Sequence, residues 1–323
     1  MHYFVTGGTG FIGAYVVRDL VRAGHEVTAF DMAPDREFLS DLLTDRVVSS
    51  VRLVAGDVTD LPHVLRSMKE AKAERVIHLA ALLGARSEEN PYRSLRVNCE
   101  GCLNVFEAAL ACDAQRVVWA SSVAVFGPRH RRQESGAIPN DAPHDPAILY
   151  GACKSLVERF SAHYRKVRRL DLLGLRFSLV YGYGKDRTVA RGTGGDFLTQ
   201  LIDNPARGLA GRVPAGDAIL DLVHVDDAAR AVVLASDSSM NKPVAVNVTG
   251  FRASLRETAE IVRSIEPDAD LVVEDGSWRG TNHHYEAETA RDEIGYFPTV
   301  PIKDGFARNI REIREYSARK GTG

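Results

Sequence analysis

The stretch TGGTGFIG, residues 6–13, follows directly on the apolar run HYFV at residues 2–5. Glycine loses more backbone freedom on folding than any other residue, so a cluster this dense needs a physical reason. A close approach of backbone to a ligand is one, and a plain tight turn is the other. The surroundings decide between them. Residues 11–23 continue as an amphipathic stretch, which makes TGGTGFIG the first turn between a strand and a helix. Gly7, Gly10 and Gly13 then fit G-x-x-G-x-x-G. The first glycine lets the chain turn, the second lets backbone approach a pyrophosphate, and the third lets helix and strand pack closely. The helix start offers its N–H groups and the positive end of its dipole to the phosphates.

Working outward, β-branched runs alternate with amphipathic stretches as far as residue 180. The strand candidates are HYFVT, EVTAF (26–30), VRLVAG (51–56), RVIHLA (75–80), RVVWAS (116–121) and LLGLRF (172–177). Helical patterns lie between them at 11–23, 60–71, 91–112 and 150–168. Such alternation predicts an α/β fold with a doubly wound parallel sheet of Rossmann type, whose ligands bind at the carboxyl ends of the strands. The second half is less regular. Residues 182–220 are rich in Gly, Pro and Asp, with a helical patch at 196–203. LVHV, DDAARAVVLA and VAVNV (244–248) then supply strand, helix and strand, and 254–266 and 301–317 read as helices. We expect a dinucleotide-binding domain over 1–181, with 221–248 returning to it, and a smaller discontinuous C-terminal substrate lobe from 182–220 and 249–323.

Composition narrows the class. The 323 residues are 45% hydrophobic and 26% charged with a net charge of −2, values of an ordinary globular protein and not of a nucleic-acid binder. No apolar run approaches the ~20 residues that span a bilayer. The N-terminus reads straight into a strand, so a cytoplasmic location is expected. Cys99 and Cys102 form a CEGC spacing without a second ligand pair, and we read all four cysteines as free thiols and expect no metal. His283 and His284, adjacent in sequence, read as surface or pocket-lining residues, and His224 as structural.

Asp31 ends the second strand. A carboxylate there accepts hydrogen bonds from the adenosine ribose and repels a 2′-phosphate, which favours NAD over NADP, with Arg36 nearby to soften the preference. Asp57, with Val58, ends the third strand, where a side chain either reaches the adenine amino group or caps the next helix. Tyr150 and Lys154, in YGACK, lie one helical turn apart on one face, after the strand end ASSVAVFG.

TGGTGFIG, GDVTD, HLAA, VN (97–98), SSVAVFG, YGACK, LRFSLVYG and DLVHVDDAARA together resemble the extended short-chain dehydrogenase/reductases, the NAD-dependent epimerase/dehydratase family. EIGYFPTVPIKDGFARNI extends the likeness to the tail. The resemblance implies NAD as cofactor, held by Gly7, Gly10, Phe11, Ile12, Gly13, Asp31, Asp57, Val58, Leu79, Ala80, Ala81, Asn98, Tyr150 and Lys154. It implies Tyr150 as the base, Lys154 as the residue that lowers its pKa and holds the nicotinamide ribose, and Ser122, rather than Ser121, as the hydrogen-bond partner of the reacting oxygen. A free phenol titrates near ~10, so such help is needed at neutral pH.

The family's dehydratases carry an Asp-Glu pair after the catalytic Ser/Thr. Here Val123 and Ala124 stand there and cannot move protons. Nucleotide-sugar epimerases usually carry an Asn and an Arg for the substrate diphosphate where this chain has Leu179 and Leu220. Arg187, Arg191 and Arg212 are candidates to replace them. HLAALLGARSEENP and SSVAVFG resemble the short-chain L-threonine dehydrogenases, as does GTGGD (192–196), although the methionine-rich strand of that group is absent. We therefore expect a dehydrogenase that moves a hydride from a small polar secondary alcohol (a sugar, sugar acid or hydroxy acid) to NAD, with Leu83, Arg86, Ser122, Leu179 and Arg191 at the substrate. A nucleotide-sugar epimerase with a transient ketone is the alternative, and a catalytically silent NAD-sensing regulator is a third reading, disfavoured because Tyr150 and Lys154 are both present. The basic run PRHRR (128–132) reads as a solvated loop or as an attractor of anionic substrate. In the family the helices matching 91–112 and 150–168 pair across a two-fold axis. With Leu103, Phe106, Leu110, Leu156 and Phe160 as their spare apolar residues, a homodimer is expected, without nucleic-acid or membrane partners.

Overall fold

In the computed structural model, residues 1–127, 136–189, 196–239, 241–278 and 283–321 are described. The run PRHRR, Arg191 and residues 192–195 of the glycine-rich stretch lie outside them. In chain order the strands are β1 (His2–Thr6), β2 (Glu26–Asp31), β3 (Arg52–Ala55), β4 (Arg75–His78), β5 (Arg116–Ser122), β6 (Leu172–Phe177), β7 (Leu179–Tyr181), β8 (Gly211–Val213), β9 (Ile219–His224), β10 (Ala245–Val248), β11 (Phe251–Ser254) and β12 (Leu271–Val273).

Seven of them form one sheet in the order β10-β6-β5-β4-β1-β2-β3, with every pairing parallel. This is the doubly wound arrangement, with its switch point between β1 and β4. Successive side chains on a strand point to opposite faces, and each face has its own core. Tyr3, Val5, Ile77 and Val118 pack on one side. Phe4, Val76, Val117 and Trp119 pack on the other. Helix α1 (Phe11–Arg22) covers the first side beside the Val225–Asp237 helix, and the Leu61–Ala71 and Gly101–Ala111 helices cover the second. The two layers explain why β6 is buried at every position.

The second half contributes β10 to this sheet. β9 lies at the centre of a separate three-stranded sheet, parallel to β7 and antiparallel to β11, and β8 pairs with β12. Among the described residues no helix is long and apolar enough to cross a membrane.

The two long helical stretches each contain a π turn. Pro91–Leu95 runs through a π turn at Arg96–Glu100 into Gly101–Ala111, and Leu149–His163 runs into a π turn at Tyr164–Arg168. One expectation about their outer faces is corrected. Phe106 is fully buried, its ring 6.3 Å from Trp119 and 5.5 Å from Tyr164, because the Gly101–Ala111 helix turns it onto the sheet. Leu156 is exposed, and Leu103, Leu110 and Phe160 are half-buried.

The glycine turn sits at the switch point. Gly7 has φ +66°, and a Cβ on it would lie 2.7 Å from the Ala80 backbone nitrogen at the end of β4. Gly13 leaves less room still, since a Cβ there would lie 2.0 Å from the Gly7 carbonyl oxygen. Gly13→Ala therefore forces backbone apart. We expect it to cost at least about 1–3 kcal/mol in urea unfolding, and an unchanged midpoint would refute the contact.

Candidate active site

The carboxyl edge of the sheet collects the polar residues. Gly10 opens α1 as its N-cap, with no side-chain cap and no acidic residue in the first turn. The positive end of the helix is thus left for an anion, which fits a dinucleotide pyrophosphate. Asp31, at the end of β2, accepts hydrogen bonds from the Thr9 and Ala33 amides, both at 3.3 Å, and so stands beside the turn. Asp57 accepts the Thr59 amide at 2.9 Å, and the cap of the Leu61–Ala71 helix is Asp60 instead. Val58 packs against Gly101, and its carbonyl accepts from Asn104 at 3.0 Å.

Leu79, Ala80 and Ala81 leave β4 across from Gly7. Asn98 fixes the loop they begin: its amide accepts from the Leu82 N–H and donates to the Leu82 carbonyl, both at 2.9 Å, and donates to Ser94 at 3.2 Å. Leu83 is the half-buried cap of the Gly84–Glu89 helix, on which Arg86 is exposed. That helix is tied to the next functional element, because Glu88 accepts the Leu149 amide at 2.8 Å.

Tyr150 and Lys154 stand in the first two turns of the Leu149–His163 helix. The Lys154 ammonium is buried, 5.6 Å from the centre of the Tyr150 ring and 5.7 Å from that of Trp119. Burial raises the Tyr150 phenol above its ordinary pKa, while the Lys154 charge and a hydrogen bond from Ser122 pull it back down. Ser122 ends β5, and its hydroxyl also accepts the Ala124 amide at 3.1 Å. Tyr150, Lys154 and Ser122 are therefore together. At the end of β4, His78 bonds through Nδ1 to the Thr6 hydroxyl at 2.6 Å. Burial, with Lys154 adding to it, pushes the His78 imidazole down to about 3, so it is neutral.

Ser121 belongs to a different network. Its hydroxyl donates to Glu158 at 2.6 Å, and Glu158 takes a bidentate pair from Arg176 at 2.8 and 2.6 Å. His144 Nε2 lies 3.4 Å from the same carboxylate, and Arg176 also donates to the Asn140 carbonyl at 2.7 Å. Sequence reasoning passed over this network, although a charge inside LLGLRF, a strand covered on both faces, signals a buried partner.

On the substrate side the two leucines differ. Leu220 is buried in the core, whereas Leu179 is half-buried on β7. Arg187 pairs with Asp35 at 2.8 Å and Asp41 at 3.1 Å, and Arg212 faces Glu274 at 3.5 Å on the surface. His224 is buried and caps the Val225–Asp237 helix by accepting the Asp226 amide. His283 is buried and His284 exposed. The four cysteines are free thiols, and the described residues contain no cluster able to hold a metal ion.

Because Glu158 and Arg176 are both buried, removing one partner leaves the other charged in a dry interior. Glu158→Ala should cost ~3–5 kcal/mol by chemical denaturation, and a loss below about 1 kcal/mol would show that the network does not hold the helix to the sheet.

The chain is similar over most of its length to known proteins. The family model "NAD dependent epimerase/dehydratase family" matches residues 3–249. UDP-glucuronate 4-epimerase 4 of Arabidopsis thaliana is 26% identical over 97% of this chain and 75% of its own length. UDP-glucose 4-epimerase of Azospirillum brasilense is 31% identical over 72% of this chain and 67% of its own. The structure of Thermus thermophilus UDP-glucose 4-epimerase in complex with NAD is 25% identical, covers 97% of this chain and 99% of that one, and superposes with a TM-score of 0.77. NAD is the cofactor, and the chain is a member of the NAD-dependent epimerase/dehydratase family.

Proposed function

We propose that this protein is an NAD-dependent nucleotide-sugar epimerase that inverts a secondary hydroxyl through a transient ketone. The observation that carries the reading is Tyr150, Lys154 and Ser122 gathered beside an uncapped helix N-terminus, in a chain similar over nearly its whole length to UDP-sugar 4-epimerases. Bound NAD supplies the acceptor and donor of the hydride. The Tyr150 phenolate, favoured by the Lys154 charge, takes the proton from the sugar hydroxyl. Ser122 donates to the same oxygen and holds it against Tyr150. When the ketone has presented its other face, Tyr150 returns the proton. Gly7, Gly10, Phe11, Ile12 and Gly13 hold the pyrophosphate, Asp31 the adenosine ribose, and Lys154 the nicotinamide ribose. Asp57 and Val58 border the adenine. Leu79, Ala80 and Ala81 form the wall, which Asn98 braces. Leu83, Arg86 and Leu179 border the sugar, and Val123 and Ala124 disfavour dehydration.

One observation favours the second reading, net dehydrogenation of a small polar alcohol. Leu179 and Leu220 replace diphosphate ligands, and Arg187 and Arg212 are engaged with carboxylates. Proton NMR of UDP-glucose and UDP-glucuronate with enzyme and NAD separates the two. We expect the C4 epimer to accumulate without NADH absorbance at 340 nm. Steady NADH formation on small alcohols, with both UDP-sugars inert, would establish the dehydrogenase instead. Tyr150→Phe should abolish turnover on either reading while leaving NAD affinity within about twofold.

We also propose a homodimer. Tyr92, Leu95 and Leu156 are exposed apolar residues on the helices that the family pairs, at 73%, 49% and 40%. Light scattering at micromolar concentration should give twice the chain mass of 35.4 kDa. A single species at the chain mass would exclude the dimer.

A further inference from the structure

Beyond β7, an edge strand of the small sheet, the chain turns onto the helix that follows β2. That helix, α2 (Arg36–Leu42), has seven residues, too few to hold its own place, so the contacts packed on it set its position. Some of them are apolar. The Phe38 ring lies 2.3 Å from where a Cβ on Gly184 would stand. The others are charged. The Arg187 guanidinium reaches Asp35 at 2.8 Å and Asp41 at 3.1 Å, one carboxylate towards each end of α2, and lies 4.7 Å from the centre of the Phe38 ring. The Tyr183 hydroxyl donates to the same Asp41 at 3.0 Å, and the Tyr183 carbonyl accepts from Tyr15 of α1 at 3.1 Å. The side chains of Arg187, Asp35 and Asp41 are only 23%, 21% and 12% exposed, so salt screens these pairs less than surface ones.

Asp35 joins this clasp to the glycine turn. Its carboxylate caps α2 by accepting the Phe38 amide at 2.9 Å, and its own amide donates to the Thr9 hydroxyl at 3.0 Å. Thr9 in turn donates its amide to Asp31 at 3.3 Å. Arg187 is therefore linked through Asp35 to the turn and to the end of β2. Residues 31–35 cannot swing away from the turn together with α2 unless Arg187 parts from two carboxylates. A planar guanidinium has donors enough to serve both at once, which a lysine ammonium does less well.

We infer that Arg187 is a positioning residue for the cofactor: through Asp35 and Asp41 it holds the adenosine end of the NAD site closed, so that NAD leaves slowly. Local opening of such an element is what lets a bound nucleotide out, and the two ion pairs oppose it. Slow release suits a cofactor that is reduced and reoxidised in place. The inference rests on the reading that the adenosine ribose lies at Asp31, and not on which substrate the enzyme takes, because release is measured without substrate.

The experiment chases NADH-loaded protein with excess NAD and follows the loss of NADH fluorescence by stopped flow. The variants are Arg187→Met, Asp35→Asn and the two combined. Asparagine still caps a helix, so Asp35→Asn removes the charge and keeps the cap, and it carries the test if Arg187→Met does not fold. We expect Arg187→Met to release NADH about tenfold faster and Asp35→Asn several-fold faster. The double variant should be no faster than Arg187→Met alone, since the same contact is lost. A general loosening of the fold would make the two effects multiply instead. Asp31→Ala tests the premise separately: a loss of NADH affinity upholds it, and unchanged affinity removes it and the inference together. With the premise upheld, release within twofold of the unaltered protein in both single variants, or multiplied rates in the double variant, would overturn the role of Arg187.

Discussion

The ion pair between Glu158 and Arg176 is the contact on which the active site depends. Two charges buried between a helix and a sheet cannot be parted without exposing each to a medium that solvates neither. The pair therefore fixes the Leu149–His163 helix on β6, and through Ser121 on β5 as well. Tyr150 and Lys154 stand on that helix, and Ser122 follows Ser121 on that strand. Their mutual placement is inherited from a contact that takes no part in the chemistry. The arrangement also gives two neighbouring hydroxyls different roles, since Ser121 is turned inward to the carboxylate and Ser122 is left at the crevice.

How much of this was legible in the sequence depended on distance along the chain. TGGTGFIG and YGACK each place their chemistry within one turn or one helical repeat, so spacing alone revealed them. The seven-stranded sheet followed from the alternation of periods. Arg176 announced a buried charge in LLGLRF, but nothing local pointed to Glu158 on an earlier helix. Phe106 departs from its expected place because the apolar faces of its helix are nearly equal, and only packing against Trp119 and Tyr164 chooses between them. Asp57 and Asp60 compete for one cap in GDVTD, and the turn geometry decided for Asp60. In the second half, β8, β11 and β12 have three or four residues each, too few for a period of two to register.

The substrate side shows how a substitution reads differently once packing is known. Leu220 is an internal residue whose side chain completes the core under the small sheet. Its identity therefore says as much about the packing of β9 as about the ligand. Leu179 is only half-buried, so its apolar side chain bears on what lies beside it. Arg187 illustrates the converse, a cation suited by its type to phosphate that is engaged in holding two parts of the chain together.

The neutral His78 gives the crevice a property of its own. An imidazole with a pKa of about 3, bonded to Thr6, is uncharged in the neutral range. It carries no charge there, and on the epimerase reading the acid–base work at this edge falls to Tyr150 beside Lys154. On the epimerase reading the reaction borrows one proton and one hydride and gives both back. A crevice whose histidine stays neutral adds no second charge beside Lys154, which suits such a cycle, because the reaction returns everything it takes and has nothing to export.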